Sequence, residues 1–143
     1  MQALRPDPSG LTGIPPGPEL AAILSTVQPA AIDDFHLVEV IAGCERLASW
    51  AAAVQVAASA GLAQRAVFDG SRLSPTRLAG MEISARLRLA PSTGEHRVLV
   101  AQALTDTLPP TLAALGSGQI DYRRAAALAE GVRGLTDEQA RQV

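Results

Sequence analysis

The chain contains no lysine and no asparagine, and among its 143 residues there are only four aromatic side chains and one cysteine. The single cysteine, Cys44, excludes an intramolecular disulfide and any metal site built on a Cys-x-x-Cys pair. The two histidines, His36 and His96, lie sixty positions apart, without the spacing of metal ligands. The sequence therefore predicts no metal site and no cofactor.

Signatures of the common enzyme sites are also missing. The sequence has no G-x-S-x-G nucleophile motif, no Walker A loop and no G-x-G-x-x-G fingerprint. A serine nucleophile needs a neighbouring base and an orienting acid, and Gly116-Ser117-Gly118 is better interpreted as the end of a helix. We therefore predict no catalytic residue in this chain.

Long apolar runs are absent as well. The N-terminus has no apolar signal segment, and the most apolar run, Ala51–Ala63, contains Gln55 and Ser59. That run is shorter than the ~20 residues of a membrane-spanning helix. These features predict a cytoplasmic protein with no membrane partner. The formal net charge of −2 gives no general argument for nucleic-acid binding.

Proline divides the chain into two parts. Residues 1–31 hold six of the ten prolines and predict a lead-in that is largely extended or disordered, with one short helix over Glu19–Val27. Residues 32–143 predict one helical domain. A capping box at Thr136 opens a last helix only seven residues before the end, which predicts a domain truncated at its C-terminus.

The longest predicted helix is Phe35–Ala66, which has no proline and follows a good N-cap, Asp33 or Asp34. Apolar and small residues recur in it at spacings of three and four, with one polar member: Leu37, Ile41, Cys44, Ala48, Ala51, Gln55, Ala58 and Leu62. Two interpretations stay open for this face. It either packs inside the domain as a core helix or forms the seam of a homodimer.

Residues 82–101 predict a helix, a short turn and a second helix. Ser92 and Glu95 have the spacing of a capping box, and Pro91 before them ends the preceding helix. Alternation over residues 83–89 also fits a strand, but the helical spacing continues over a longer window. With further caps at Ser74 and Asp121, the predicted fold is all-α: a helical bundle with one long N-terminal helix and a helix-turn-helix-like hairpin.

Residues 72–97 are the only basic segment, with five arginines against two glutamates. A helix-turn-helix places the N-terminal residues of its second helix at base edges and basic residues near phosphates. The candidate residues for binding double-stranded DNA are Arg86, Arg88, Ser92, Thr93, His96 and Arg97. Arg88, Gly94 and Arg97 depart from the usual helix-turn-helix pattern. The alternative is an ordinary α-hairpin within a bundle.

Several segments, in this order, are similar to domain of unknown function 222: residues 16–24, 45–55, 82–104, 108–125 and the helix start at 136. This is the N-terminal helical domain of actinobacterial HNH-endonuclease-like proteins, also called the thirteen-E-twelve repeat family. The resemblance implies a non-catalytic domain of a nuclease-associated protein that binds or positions DNA; full-length relatives include HNH endonucleases. The alternative function is a helical protein-interaction or dimerisation module with no nucleic-acid role.

Overall fold

The computed structural model describes residues 8–65, 72–135, 139 and 142, and over these residues six α-helices form one bundle. They are α1 Pro18–Leu24, α2 Asp34–Arg65, α3 Pro75–Leu87, α4 Pro91–Asp106, α5 Pro109–Gly116 and α6 Tyr122–Gly131. No strand occurs in the described part of the chain, so the all-α prediction is confirmed. Residues 83–87 are helical, which removes the strand alternative for them. The capping box expected at Thr136 lies outside the described residues.

Three helices begin where their local capping signals predict. Asp33, Ser74 and Asp121 each accept a hydrogen bond from the backbone N–H three residues ahead, over distances from 2.8 to 3.2 Å. Such bonds satisfy donors that have no partner inside the helix. The pKa of the Asp33 carboxyl is lowered, first by this backbone hydrogen bond from His36. The starts of α2, α3 and α6 therefore follow from sequence alone.

Residues 8–31 differ from the extended lead-in that their prolines predict, although the short helix predicted over Glu19–Val27 is present as α1. They form α1 and two 3₁₀ turns, Pro8–Gly13 and Pro29–Ala31. Leu11 and Leu20 are fully buried, and the Arg46 guanidinium donates hydrogen bonds to the backbone carbonyls of residues 11, 12 and 14. Buried leucines and an arginine from α2 hold this segment in place, although its own sequence carries no strong helical signal.

The core lies between one side of α2 and the helices that follow it. Its larger part contains residues from α2, α4, α5 and α6: Val56, Ala60, Val100, Ala101, Leu104, Leu108, Leu115, Ala125, Ala129 and Val132. A second part joins α2 to the hairpin through Ala63, Ala79 and Val98. The spacing of Val98, Ala101, Leu104 and Leu108 predicts one helix face, and all four are buried.

The side of α2 that packs is not the predicted one. Its buried residues are Gly43, Ser49, Val56, Ala60 and Ala63. Of the eight residues in the predicted stripe, seven are exposed and Leu37 is partly buried. The interpretation of that stripe as the domain core is therefore wrong. Alanine occurs all around this helix, so the sequence pattern does not single out one face.

Helices α3 and α4 meet at two glycines. A methyl group at Gly80 would lie 2.6 Å from the backbone of Glu95, and one at Gly94 would overlap the Gly80 carbonyl and the Ser84 hydroxyl. The Ser84 hydroxyl accepts a hydrogen bond from Gly94 N–H at 3.1 Å and donates one to the Ala90 carbonyl at 2.9 Å. Glycine here permits a backbone-to-backbone approach that no other residue allows.

This contact also corrects the predicted start of α4. The helix begins at Pro91, with Ala90 as its N-cap and no side-chain cap from Ser92. Proline fits the first helical position because its missing N–H has no partner there anyway. The capping box at Ser92 and Glu95 is therefore wrong. In the first turn of α4, the Gly94 N–H donates a hydrogen bond to the hydroxyl of Ser84 on α3, ten residues before Gly94 in the chain.

No single helix among the described residues is long and apolar enough to cross a membrane. Helices α4 and α5 together reach that length and composition, but they are bent by 106° at their break.

We predict that Gly94→Ala lowers the free energy of unfolding by about 1–3 kcal/mol, the usual effect of forcing extra atoms into a packed contact. Gly61→Ala in α2 is the matched control, because a methyl group there meets nothing within 4 Å. The control should raise stability by about 0.5–1 kcal/mol through helix propensity. Urea unfolding of the two variants measures both effects. Equal stabilities would contradict the glycine contact.

Candidate interaction surface on helix α2 and the adjoining groove

One line of residues along α2 faces away from the rest of the described domain. It consists of seven exposed residues, which we call the α2 seam: Ile41, Cys44, Ala48, Ala51, Gln55, Ala58 and Leu62. Their spacing alternates strictly between three and four. This is the spacing with which helices pair in left-handed coiled coils. At 1.5 Å per residue the seam is about 32 Å long.

The ends of this surface are large and its middle is small. Ile41 is 62% exposed at the N-terminal end, and Leu62 is exposed at the other. Phe35 and Val38 are exposed as well, but they lie off the line of the seam, since successive helical residues point about 100° apart. Between them the seam carries mainly alanine, which lets a second helix approach closely. A contiguous apolar surface of this kind is typical of a protein-protein contact.

An open groove of about 660 Å³ adjoins the C-terminal half of the seam. Three seam residues, Gln55, Ala58 and Leu62, belong to one wall. The opposite wall is formed by α3, with Ile83 and Leu87 as its apolar members. The exposed side of α2 is therefore concave near its C-terminal half.

Two arginines and the only tyrosine of the chain complete the groove. Arg86 comes from α3, Arg97 from α4 and Tyr122 from the start of α6. Burial raises the pKa of the Tyr122 phenol; the charge of Arg97 works against this rise, and that of Glu130 adds to it. Glu82 on α3 also lines the groove, so the two arginines leave a net charge of +1 on largely apolar walls. The groove therefore suits an apolar segment that carries a carboxylate.

Charge is distributed unevenly along α2. Its three carboxylates, Asp34, Glu39 and Glu45, lie in the N-terminal third, and none occurs between Glu45 and the end of the helix. Arg65 lies at the C-terminal end. One end of the surface is acidic, and the other is basic through Arg65 and the neighbouring Arg86.

The residues predicted to bind DNA lie on several surfaces. Arg86, Arg88, Ser92 and Thr93 are exposed around the turn between α3 and α4. His96 Nε2 lies 2.9 Å from Glu130 Oε1 on α6. Arg97 is partly buried and lines the groove together with Arg86. It points away from His96 because successive residues of a helix point about 100° apart. Four of the six thus lie around the turn, Arg97 shares the groove with one of them, Arg86, and His96 lies beside α6.

Arg88 occupies the turn position at which glycine is usual in a helix-turn-helix. Its backbone is left-handed, with φ 57° and ψ 45°, and it ends α3. Leu89 N–H donates to the Ser84 carbonyl at 2.9 Å, which closes the end of the helix. Arg88 thus ends α3 in the left-handed conformation that glycine usually takes at helix ends, at a cost of about 1–2 kcal/mol for a non-glycine residue.

Within the described residues, no group of three or more His, Cys, Asp or Glu side chains could hold a metal ion. The imidazole of His36 lies close to Asp33, and His96 contacts Glu130. Each histidine thus has a single carboxylate neighbour. Among the side chains described, binding chemistry is therefore concentrated on α2, its groove and the α3–α4 hairpin.

These features define a small all-α domain whose long helix has one exposed side. The chain belongs to the family Domain of unknown function (DUF222), whose sequence model matches residues 38–143. The matched range includes the whole seam, the groove and the hairpin. No curated protein and no solved structure shows a significant match to the chain.

Sequence reasoning identified the seam residues but missed the groove beside them. Ser59, Glu82 and Tyr122 lie in three different helices that meet only in the folded domain. No local sequence pattern indicates that these three residues lie close together.

Tyr122 gives a pH prediction. Because its pKa is raised in the folded state, the unfolded chain loses its phenolic proton first, near pH 10. The free energy of unfolding should therefore fall as the pH rises from about 10 through the folded pKa. Urea unfolding at pH 9 and pH 11 should show this fall in the natural chain and a smaller one in Tyr122→Phe. An identical pH dependence in both would contradict the burial of this phenol.

Proposed function

We propose that this domain is a non-catalytic helical interaction module that self-associates through the α2 seam. One observation carries the proposal: seven residues with coiled-coil spacing are all exposed along one line of a 32-residue helix. Residues on other sides of the same helix form the core. The helix thus packs in the core of the domain on one side and carries an exposed, largely apolar surface on another.

Geometry supports a helix as the binding partner. The small residues at the middle of the seam match the close approach of two helices, which pack about 8–10 Å apart. The large residues at the ends, Ile41 and Leu62, add apolar area where the surface widens. Stable interfaces bury roughly 1,200–2,000 Å² in total, and the adjoining groove widens the contact beyond a single helix face.

The membership of the chain in the DUF222 family, with the nuclease context that its sequence resemblance implies, supports a further proposal. We propose that it serves an HNH-endonuclease-like protein by bringing two copies together. In this proposal no described residue performs catalysis, and any nuclease chemistry belongs to a separate domain. Self-association would then place two such domains near one another.

Ala51 lies at the middle of the seam and is the position at which to test self-association. Ala51→Glu should convert a dimer into a monomer, because it places a like charge from each copy in an apolar contact. Light scattering coupled to size-exclusion chromatography measures the mass directly. The same run on the natural chain should give the mass of two copies.

Ala57→Glu is the matched control for this substitution. Ala57 is exposed on the same helix but lies off the seam, so the added charge is the same and the apolar line stays intact. The control should remain dimeric. A natural chain that is monomeric at every concentration, or a control that dissociates equally, would remove the proposal.

A second candidate function is DNA positioning by the α3–α4 hairpin. The observation that favours it is the exposure of Arg86, Arg88, Ser92 and Thr93 around the short turn between α3 and α4. Exposed arginines beside a helix N-terminus fit phosphate contacts. Because the whole chain has a formal net charge of −2, the proposed DNA contact is confined to the hairpin.

The DNA prediction concerns salt dependence. Arg86→Ala together with Arg88→Gly should weaken duplex binding and lower the slope of log affinity against log salt by about 2, one unit for each lost phosphate contact. Glycine is chosen at position 88 because it keeps the left-handed turn unstrained. Fluorescence anisotropy over a salt series measures the slope.

Arg123→Ala together with Arg133→Ala removes the same charge from exposed positions away from the hairpin. This control should leave the slope unchanged. If both pairs reduce binding equally, or if the natural chain does not bind duplex at low salt, the hairpin has no DNA role.

A further inference from the structure

We infer that the groove beside α2 is filled by the N-terminal half of α2 from a second copy, which runs antiparallel to the first. This inference rests on the proposed self-association and adds the orientation, the register and the occupant of the groove. Three independent features of the surface, namely its shape, its charge and the sizes of its side chains, favour this arrangement over a parallel pair.

The shape of the surface differs between its two halves. The C-terminal half of the seam lies beside the groove, where α3 rises next to Ala58 and Leu62. At the N-terminal end of the seam, Ile41 is 62% exposed and projects into solvent. An antiparallel pair places the projecting half of each copy against the concave half of the other. A parallel pair leaves both grooves empty.

The charges favour the same orientation. The acidic N-terminal part of α2, with Asp34, Glu39 and Glu45, would approach the C-terminal half of the other copy, where Arg65 and Arg86 outnumber Glu82. A parallel pair would instead place the three carboxylates of one copy beside those of its partner. Opposite charges across an interface select orientation even where each pair adds little affinity.

The sizes of the side chains select the register. With a two-fold axis between residues 49 and 50, Leu37 lies opposite Leu62, Ile41 opposite Ala58, and Ala48 opposite Ala51. Each layer in the middle then contains at least one small residue. Ile41 enters at Ala58, which is a residue of the groove wall. Arg46 stays out of this contact, because its guanidinium is bound to the carbonyls of residues 11, 12 and 14.

Cys44 is the only cysteine of the chain, is exposed and belongs to the seam, so it reports the orientation. In the antiparallel register it lies opposite Gln55 of the second copy. The two Cys44 residues are then about 16 Å apart along the helices, well beyond the ~7 Å between Cα atoms that a disulfide tolerates. In a parallel pair in register the two Cys44 residues face each other.

The test is a disulfide exchange between two full-length proteins, the natural chain and the variant Cys44→Ser/Gln55→Cys. After mixing and mild oxidation, the antiparallel arrangement gives a disulfide between Cys44 of one copy and the new thiol at position 55 of the other. Intact mass spectrometry separates this mixed dimer from each homodimer. The variant Cys44→Ser/Ala57→Cys, with its thiol off the seam, should give no mixed disulfide.

A second substitution tests the groove itself. Leu87 lies on the α3 wall and outside the seam. Leu87→Glu should raise the dissociation constant of the dimer by about tenfold, as expected when one well-packed contact is lost. Circular dichroism of the variant shows whether the monomer keeps its helices. A folded variant with unchanged self-association would mean that the groove stays empty, which would overturn the inference.

The outcomes separate this inference from the proposed function. A disulfide between two Cys44 residues shows a parallel pair, which overturns the inference and leaves self-association standing. A dimer with neither disulfide places the contact elsewhere and overturns it too. A natural chain that is monomeric in light scattering removes both the self-association and the arrangement derived from it.

Discussion

The structure depends on the packing of five helices against one long helix, α2. Each of the other five described helices packs against it, and its buried residues are mostly small: Gly43, Ser49, Ala60 and Ala63, with Val56 as the exception. Small residues allow several helices to approach the same axis closely. The domain occupies one side of α2 in this way and leaves the opposite line without a partner, and the proposed function follows from that asymmetry.

Much of the fold was predictable because its signals are local. Helix starts at Asp33, Ser74 and Asp121 depend on a side chain and an N–H three residues away, and the left-handed turn at Arg88 follows from the short link between two helices. The burial of one face of α4 was predictable too, because Val98, Ala101, Leu104 and Leu108 recur at spacings of three and four. In each case the information lies within a few residues of the structure it determines.

Other features were not predictable because they depend on contacts distant in sequence. Alanine surrounds α2, so only the packed structure shows that Ala60 is buried and Ala58 exposed. The first turn of α4 takes its hydrogen bond from Ser84 instead of Ser92, since the glycine contact brings α3 within reach. The lead-in folds because Arg46 binds its carbonyls. The groove likewise exists only once four helices have met.

The central claim is that the seam becomes buried when two copies meet. Its alanines provide a direct measurement, because methyl resonances of Ala48, Ala51 and Ala58 can be followed by NMR over a range of protein concentrations. The account predicts concentration-dependent shifts at these three methyl groups, with the exposed methyl of Ala57 and the buried methyl of Ala125 unchanged. Shifts confined to other residues, or none at any concentration, would contradict it.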